Sequence, residues 1–202
     1  MRITSGELRG RSLVSPRTDI THPMGDRERL ALFNALESQM FNTGAEVLYG
    51  GVRTAALDAY AGTGALGFEA LSRGATHVDF IEKDHRALLA LRQNIKTLGL
   101  SAKTQVFPTN VVKFTTLPSV AAQHGGYDLI FIDPPYDNFR PADFVHLCQF
   151  MKSDALLALS HPAAFAPEGL LQLVGKTRFA HLSTRTYARA NISLFRKNLS
   201  VS

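Results

Sequence analysis

The chain has 202 residues, 45% of them hydrophobic, which suits one globular domain with a substantial core. A formal net charge of +5 and a pI near 9.6 favour a polyanionic partner. Cys148 is the only cysteine, so an internal disulfide is excluded and a reducing, cytoplasmic setting is expected; the seven scattered histidines form no metal-ligand pattern, and no apolar run resembles a signal peptide or spans a bilayer.

In chain order, Met1–Pro16 reads as a short β-hairpin turning at Gly6-Glu7-Leu8-Arg9-Gly10. Arg2, Arg9, Arg11 and Arg17 make this arm basic, consistent either with edge protection or with RNA contact. We divide the chain into this arm, residues 1–20, and one domain, 21–202. Asp26–Phe41 reads as a helix with Asp26 as N-cap and Leu30, Phe33, Leu36 and Met40 on one face. Arg27 and Arg29 lie in its first turn, where the helix dipole disfavours cations; Arg29 reads as part of a solvated face, while the pair hints at an anionic ligand. Asn42–Val52 reads as a surface connection.

Strands are expected at Thr54–Tyr60, His77–Glu82, Lys103–Phe107, Tyr127–Ile132 and Ala155–Leu159. Helices are expected from the glycine stretch to about Arg73, from Asp84 (N-cap) to Gly99 (C-cap), over Val111–Ala122, near Pro141–Lys152 and near Pro167–Val174. Arg178–Thr184 and Ala190–Arg196 alternate and form an antiparallel closing pair. This alternation predicts an α/β fold with a doubly wound, mostly parallel seven-stranded sheet. His146 and Cys148 read as packing residues on an apolar helix.

Two stretches carry chemistry. Gly62-x-Gly64-x-x-Gly67 has the spacing of a nucleoside-cofactor turn between strand and helix: Gly62 for the tight turn, Gly64 for ligand approach, Gly67 for helix packing. Glu82, at the end of the next strand, suits a ribose hydroxyl pair. Asp58 adds negative charge where a pyrophosphate would lie and suits the ammonium of an amino acid, as in S-adenosylmethionine. Asn110 reads equally as an adenine contact or a turn residue. The second stretch is Asp133-Pro134-Pro135-Tyr136. Pro134 cannot continue a central strand, so Asp133 sits at the carboxyl end of the sheet. The Asp133 carboxylate and the Pro134 carbonyl can accept the two hydrogens of an amino group, and Tyr136 can lie against the ring that carries it.

Together these residues resemble class I S-adenosylmethionine-dependent methyltransferases. Arg9-Gly10-Arg11, Asp26-Arg27, Leu32-Phe33-Asn34 and Gly64 through Ala75 are similar to the bacterial 16S ribosomal RNA guanine-N2 methyltransferase family, and the likeness extends to Tyr187 and the closing strand. The resemblance implies cofactor contacts along Asp58, Tyr60, Ala61, Gly62, Thr63, Gly64, Glu82, Lys83, Asn110 and Asp133. It implies a target amine bound at Asp133–Tyr136 (Pro135 included), RNA contacts at Arg2, Arg9, Arg11, Arg17 and Arg27, and 16S rRNA or the assembling small subunit as partner of a monomer. The chain departs from the family pattern at His22-Pro23-Met24-Gly25, at Leu30, at Asn110 and at Leu159-Ser160-His161. Three other readings compete: an NAD(P)-dependent oxidoreductase using the same glycines, an amino-methyltransferase acting on adenine N6 of RNA or DNA, and a non-catalytic RNA-binding module.

Overall fold

The centre of the sheet is buried on both faces, polar residues such as Asp58, His77 and Asp79 included. β1 (Ala55–Ala59), β2 (His77–Ile81) and β4 (Tyr127–Ile132) are buried along nearly their whole length, as strands covered on both faces must be. The computed structural model describes residues 1–15, 24–41, 54–175, 178–187 and 191–198. Its seven-stranded sheet has the order β3-β2-β1-β4-β5-β7-β6, with β3 at Thr104–Phe107, β5 at Met151–His161, β6 at Phe179–Thr186 and β7 at Asn191–Lys197. The first five strands pair in parallel; β7 runs antiparallel to both β5 and β6.

Helices cover both faces. α1 (Asp26–Phe41), α2 (Ala65–Ser72) and α3 (His85–Leu98) pack on one face around Phe33, Phe68, Phe80 and Phe131. α4 (Ser119–Gln123), α5 (Pro141–Cys148) and α6 (Pro167–Val174) close the other around Phe144, Phe150 and Phe195. From β1 the chain moves first to β2 and β3 on one side, then returns to β4 on the other. The carboxyl ends of β1 and β4 therefore flank a topological switch point, where open α/β sheets hold ligands.

The α3 caps fall where expected: the Asp84 side chain accepts from Ala87 N, and Gly99 closes the helix in the left-handed region. Other boundaries differ for physical reasons. Val111–Ala122 is not one helix; a 3-10 turn spans Val111–Lys113 and α4 begins only after Pro118, whose ring disfavours helical backbone at Leu117. α5 stops at Cys148, and β5 starts at Met151, four residues before Ala155. Asp26 is the first residue of α1 rather than its cap; Gly25 precedes it, its N–H donating to Glu28 Oε2 at 2.9 Å. Leu30 is 39% exposed, so Leu32, not Leu30, joins Phe33, Leu36 and Met40 in the core. Near the N-terminus no strand extends beyond one antiparallel bridge, Arg2 with Ser12, flanked by backbone hydrogen bonds from Ile3 N to Arg11 O, Gly10 N to Ile3 O and Leu13 N to Met1 O. Ile3 and Leu13 beside it are buried against the helical layer. The Asn42–Val52 connection, Arg17 and His22-Pro23 lie outside the described residues.

The largest departure from expectation is Arg29, which is fully buried. Its guanidinium donates to Glu69 Oε2 at 3.3 Å, to Asp26 Oδ1 at 2.8 Å, and to the carbonyls of Met24 and Arg2. Glu69 on α2 is also fully buried; it receives Arg73 Nε at 2.9 Å, the Thr4 N–H and hydroxyl, and the Ser5 N–H. One carboxylate thus joins the N-terminal arm, α1 and α2. Removing it leaves two buried guanidiniums with one carboxylate each, Asp26 and Glu37, and strips the Thr4 and Ser5 donors of their acceptor, a change that costs about 3–5 kcal/mol. Urea unfolding of Glu69→Ala should show a loss of that size; a loss below about 1 kcal/mol, as for an exposed pair, would contradict the role assigned to it.

Candidate functional site

The strand register builds the site. Ala59 pairs with Ile81 on β2 and with Ile132 on β4. One residue further along each strand, Tyr60, Glu82 and Asp133 leave the sheet at the same level on three adjacent strands. Asp58, two residues earlier on β1, faces the α2 layer, where Gly67 N–H meets it, while Tyr60, just past the strand, turns its ring toward α5 on the other face.

The glycine turn connects β1 to α2. Tyr60 has φ 66°, a left-handed conformation uncommon for a residue with a side chain, and it starts the turn. Its hydroxyl donates to the Asp143 carboxylate on α5, and burial beside that carboxylate pushes the phenol pKa up. Gly62 takes φ 55°, as its turn role requires, but the glycines otherwise divide their work differently from expectation. A Cβ on Gly62 would meet nothing within 4 Å, so this residue faces open space where a ligand can approach. A Cβ on Gly64 would lie 2.5 Å from Phe68 and 2.6 Å from Leu91, so its small size serves packing, and its φ of 85° serves the turn. Gly67 keeps its expected role: an added Cβ would sit 2.3 Å from the Phe80 ring on β2. Between these glycines, the Thr63 carbonyl accepts from Asn94 on α3, and the Ala61 N–H donates to Ile81 O.

Three carboxylates gather at this edge. Asp58 is buried and accepts from Gly67 N at 2.8 Å, at the start of α2, where backbone donors and the helix dipole favour an anion. Burial nevertheless raises its pKa well above the usual carboxylate range, and the charges of Asp133 and Glu82 raise it further. Glu82 accepts from Gly62 N at 2.7 Å and from the N–H groups of Lys83 and Asp84 at 2.8 and 2.7 Å. These three bonds leave about one of its four lone-pair sites open. Lys83 is exposed and reaches the cluster through its backbone. Asn110 accepts from Val112 N at 3.3 Å and caps the 3-10 turn, so the structure shows it in its turn role. No group of three or more His, Cys, Asp or Glu among the described residues is arranged to hold a metal ion.

Asp133 ends β4, and its pKa is raised to about 6 by burial and by the charge of Glu28 on α1, against a hydrogen bond from Ser160. Pro134 is buried, Pro135 exposed, and the Tyr136 ring 38% exposed with its hydroxyl 3.0 Å from Ser160 Oγ. A shallow hollow opens here, lined by Asp133 and Ser160 together with Met24, Leu66 and Ile192. Sequence reasoning missed Ser160 and Glu28. Ser160 stood out only as a departure from the family pattern; the residues following β4 gave no sign that β5 would end beside them.

Among the basic residues, Arg2, Arg9, Arg11 and Arg27 are exposed. Arg185 and Arg196 donate to carbonyls of α1, and Lys197 donates to Met151 O at 2.6 Å. His146 binds Phe114 O at 2.8 Å and packs edge-on to Phe150, while Cys148 is buried; both are packing residues.

The family model described as "Conserved hypothetical protein 95" matches residues 1–194, and the chain belongs to that family. "Putative rRNA methyltransferase YlbH" of Bacillus subtilis is 29% identical over 98% of this chain and 99% of its own length. "Ribosomal RNA small subunit methyltransferase D" of Haemophilus influenzae is 32% identical over 78% of this chain and 76% of its own. Among solved structures, "Putative methyltransferase yhhF from Escherichia coli" superposes with a TM-score of 0.73 and 27% identity, covering 98% of both chains. The fold is that of class I methyltransferases.

The raised Asp133 pKa has a stability consequence. In the unfolded chain the carboxyl titrates near 3.8, in the folded chain near 6. The folded state therefore favours the protonated form; this contribution is present below the unfolded value and is lost as the pH rises through the folded one. Above it, holding the ionised group costs up to about 3 kcal/mol. Asp133→Asn should accordingly unfold at higher urea than wild type above pH 7, with the gap closing near pH 4. A gap of equal size at both pH values would show that the shift has no such origin.

Proposed function

We propose that this member of the family transfers a methyl group from S-adenosylmethionine to the exocyclic N2 amine of a guanine in 16S ribosomal RNA, free or in the assembling small subunit. The observation that carries the reading is the meeting of Asp58, Glu82 and Asp133 beside a glycine turn with open space at Gly62. An Asp58 whose proton affinity is raised by the charges of Asp133 and Glu82 marks a site that suits a ligand with an ammonium and a sulfonium. These carboxylates oppose a pyrophosphate, which disfavours the NAD(P) reading. The residues fit such a cofactor: Gly62 leaves room for it, Glu82 retains acceptor capacity for ribose hydroxyls, and Asp58 faces the ammonium. When bound, S-adenosylmethionine supplies an electrophilic methyl carbon on a positively charged sulfur.

The chain's own residues then handle the amine. A guanine N2 lone pair is delocalised into the ring and nucleophilically weak. Hydrogen bonds from its two hydrogens to the Asp133 carboxylate and the Pro134 carbonyl hold the nitrogen in a more pyramidal form and fix its direction. Alignment of this kind lowers barriers by up to about 7–11 kcal/mol in favourable systems. One well-placed charged group opposite developing positive charge adds roughly 3–4 kcal/mol. The amine proton becomes acidic only as the new bond forms. An Asp133 titrating near 6 is ionised at neutral pH yet basic enough to accept it. The half-exposed Tyr136 ring offers a stacking face to an unstacked base, worth about 1–3 kcal/mol. Exposed Arg2, Arg9, Arg11 and Arg27 supply cations for the RNA backbone. Relatives named as ribosomal RNA methyltransferases support RNA as the substrate.

Incubation with undermethylated small-subunit rRNA and the cofactor should yield N2-methylguanosine in the nucleoside digest, read by mass spectrometry. Asp133→Ala should reduce transfer by roughly 10²–10³-fold or more while calorimetric affinity for S-adenosylhomocysteine stays near wild type. Methylated adenine as the product, or parallel loss of binding and transfer in the variant, would overturn the assignment.

A further inference from the structure

The residue between Asp133 and Tyr136 comes from another strand. Ser160, near the end of β5, is only 3% exposed. Its Oγ lies 3.0 Å from the Tyr136 hydroxyl; one step beyond the Ile132–Leu159 register pair it sits beside Asp133, with which it lines the same small hollow, and its hydroxyl favours the ionised form of that carboxylate. A serine hydroxyl has one proton to give, and an ionised carboxylate can only accept. With Asp133 ionised, a Ser160 O–H turned to the carboxylate leaves the Tyr136 O–H to donate to Ser160 Oγ.

We propose that Ser160 is a positioning residue for methyl transfer, locking the Asp133 carboxylate and the Tyr136 ring into one hydrogen-bonded chain so that the amine acceptor and the stacking face keep a fixed relation. The inference rests on the function proposed above and deepens it. Without Ser160 the carboxylate loses its donor, and the tyrosine ring loses the tether that sets its tilt. The groups facing Asp133 from neighbouring elements all work against its ionisation. Glu28 on α1 and the buried Asp58 on β1 are acids. The next residue along β5, His161, turns its ring to Ser193 Oγ at 2.8 Å and to Pro162 O at 3.0 Å. Ser160 is the donor that opposes them, so its loss moves the pH at which the site becomes competent, besides loosening its geometry.

The test compares Ser160→Ala with Ser160→Thr, which keeps the hydroxyl. Carbon-13 carboxyl NMR of Asp133 gives the titration midpoint without any need for catalysis. The midpoint should rise by roughly one pH unit in Ser160→Ala and stay near wild type in Ser160→Thr. In methyl-transfer assays the acid limb of kcat/KM should move up with it and return in the threonine variant. Tyr136→Phe, which keeps the ring but removes the far donor, should shift the limb in the same direction by less. If Ser160→Ala is unstable, the Tyr136→Phe midpoint alone decides. An unmoved midpoint would overturn the proposal, as would equal loss of rate at every pH in the alanine and threonine variants. If wild type transfers no methyl group, the function proposed above fails, while the NMR midpoints still decide whether Ser160 holds Asp133.

Discussion

Like charges crowded at one edge of the sheet are the constraint that shapes this molecule. Strand order puts β2, β1 and β4 side by side, and each delivers a carboxylate to its carboxyl end. In a partly buried setting such charges repel strongly, since screening by water is reduced. The fold answers with one set of donors per acid. Asp58 takes the Gly67 N–H, Glu82 takes three backbone N–H groups, and Asp133 takes the Ser160 hydroxyl. Burial raises both Asp58 and Asp133 above their ordinary pKa values, helped by the charges of Asp133 and Glu82 on Asp58 and of Glu28 on Asp133. A cationic ligand relieves that repulsion, whereas an anionic one aggravates it.

A second buried charge cluster holds the frame around this edge. Glu69 gathers Arg29, Arg73 and the backbone of Thr4 and Ser5 away from solvent, and Arg73 also stacks its guanidinium over Phe33 at 5.0 Å. α1 brings Glu28 to Asp133 and is preceded by Met24, which lines the hollow. The network that fastens α1 and the N-terminal arm to α2 thus also holds the helix that carries Glu28 to Asp133.

The central strands were legible because a parallel sheet buried on both faces leaves unbroken apolar runs, as in Leu129–Ile132. The glycine turn and the Asp-Pro-Pro-Tyr stretch were legible because each needs residues with special backbone freedom or restriction. What escaped was tertiary. Arg29 lies in a first helical turn where cations are disfavoured, and only Glu69, forty residues away in sequence, explains its burial. The division of labour between Gly62 and Gly64 depends on Phe68 and Leu91 filling the space behind the turn. Ser160 became visible only when β5 paired with β4, because nothing local marks a serine as the partner of a distant aspartate and tyrosine. Asn110 went the local way and caps its own turn.

The most direct test of the cation-seeking site is calorimetric titration with S-adenosylmethionine and, separately, with NAD, above and below the Asp133 titration near 6. Binding of S-adenosylmethionine that weakens as the carboxylates protonate, with no binding of NAD at either pH, is the expected result. Tight binding of NAD, or an affinity for S-adenosylmethionine indifferent to pH across that range, would contradict it.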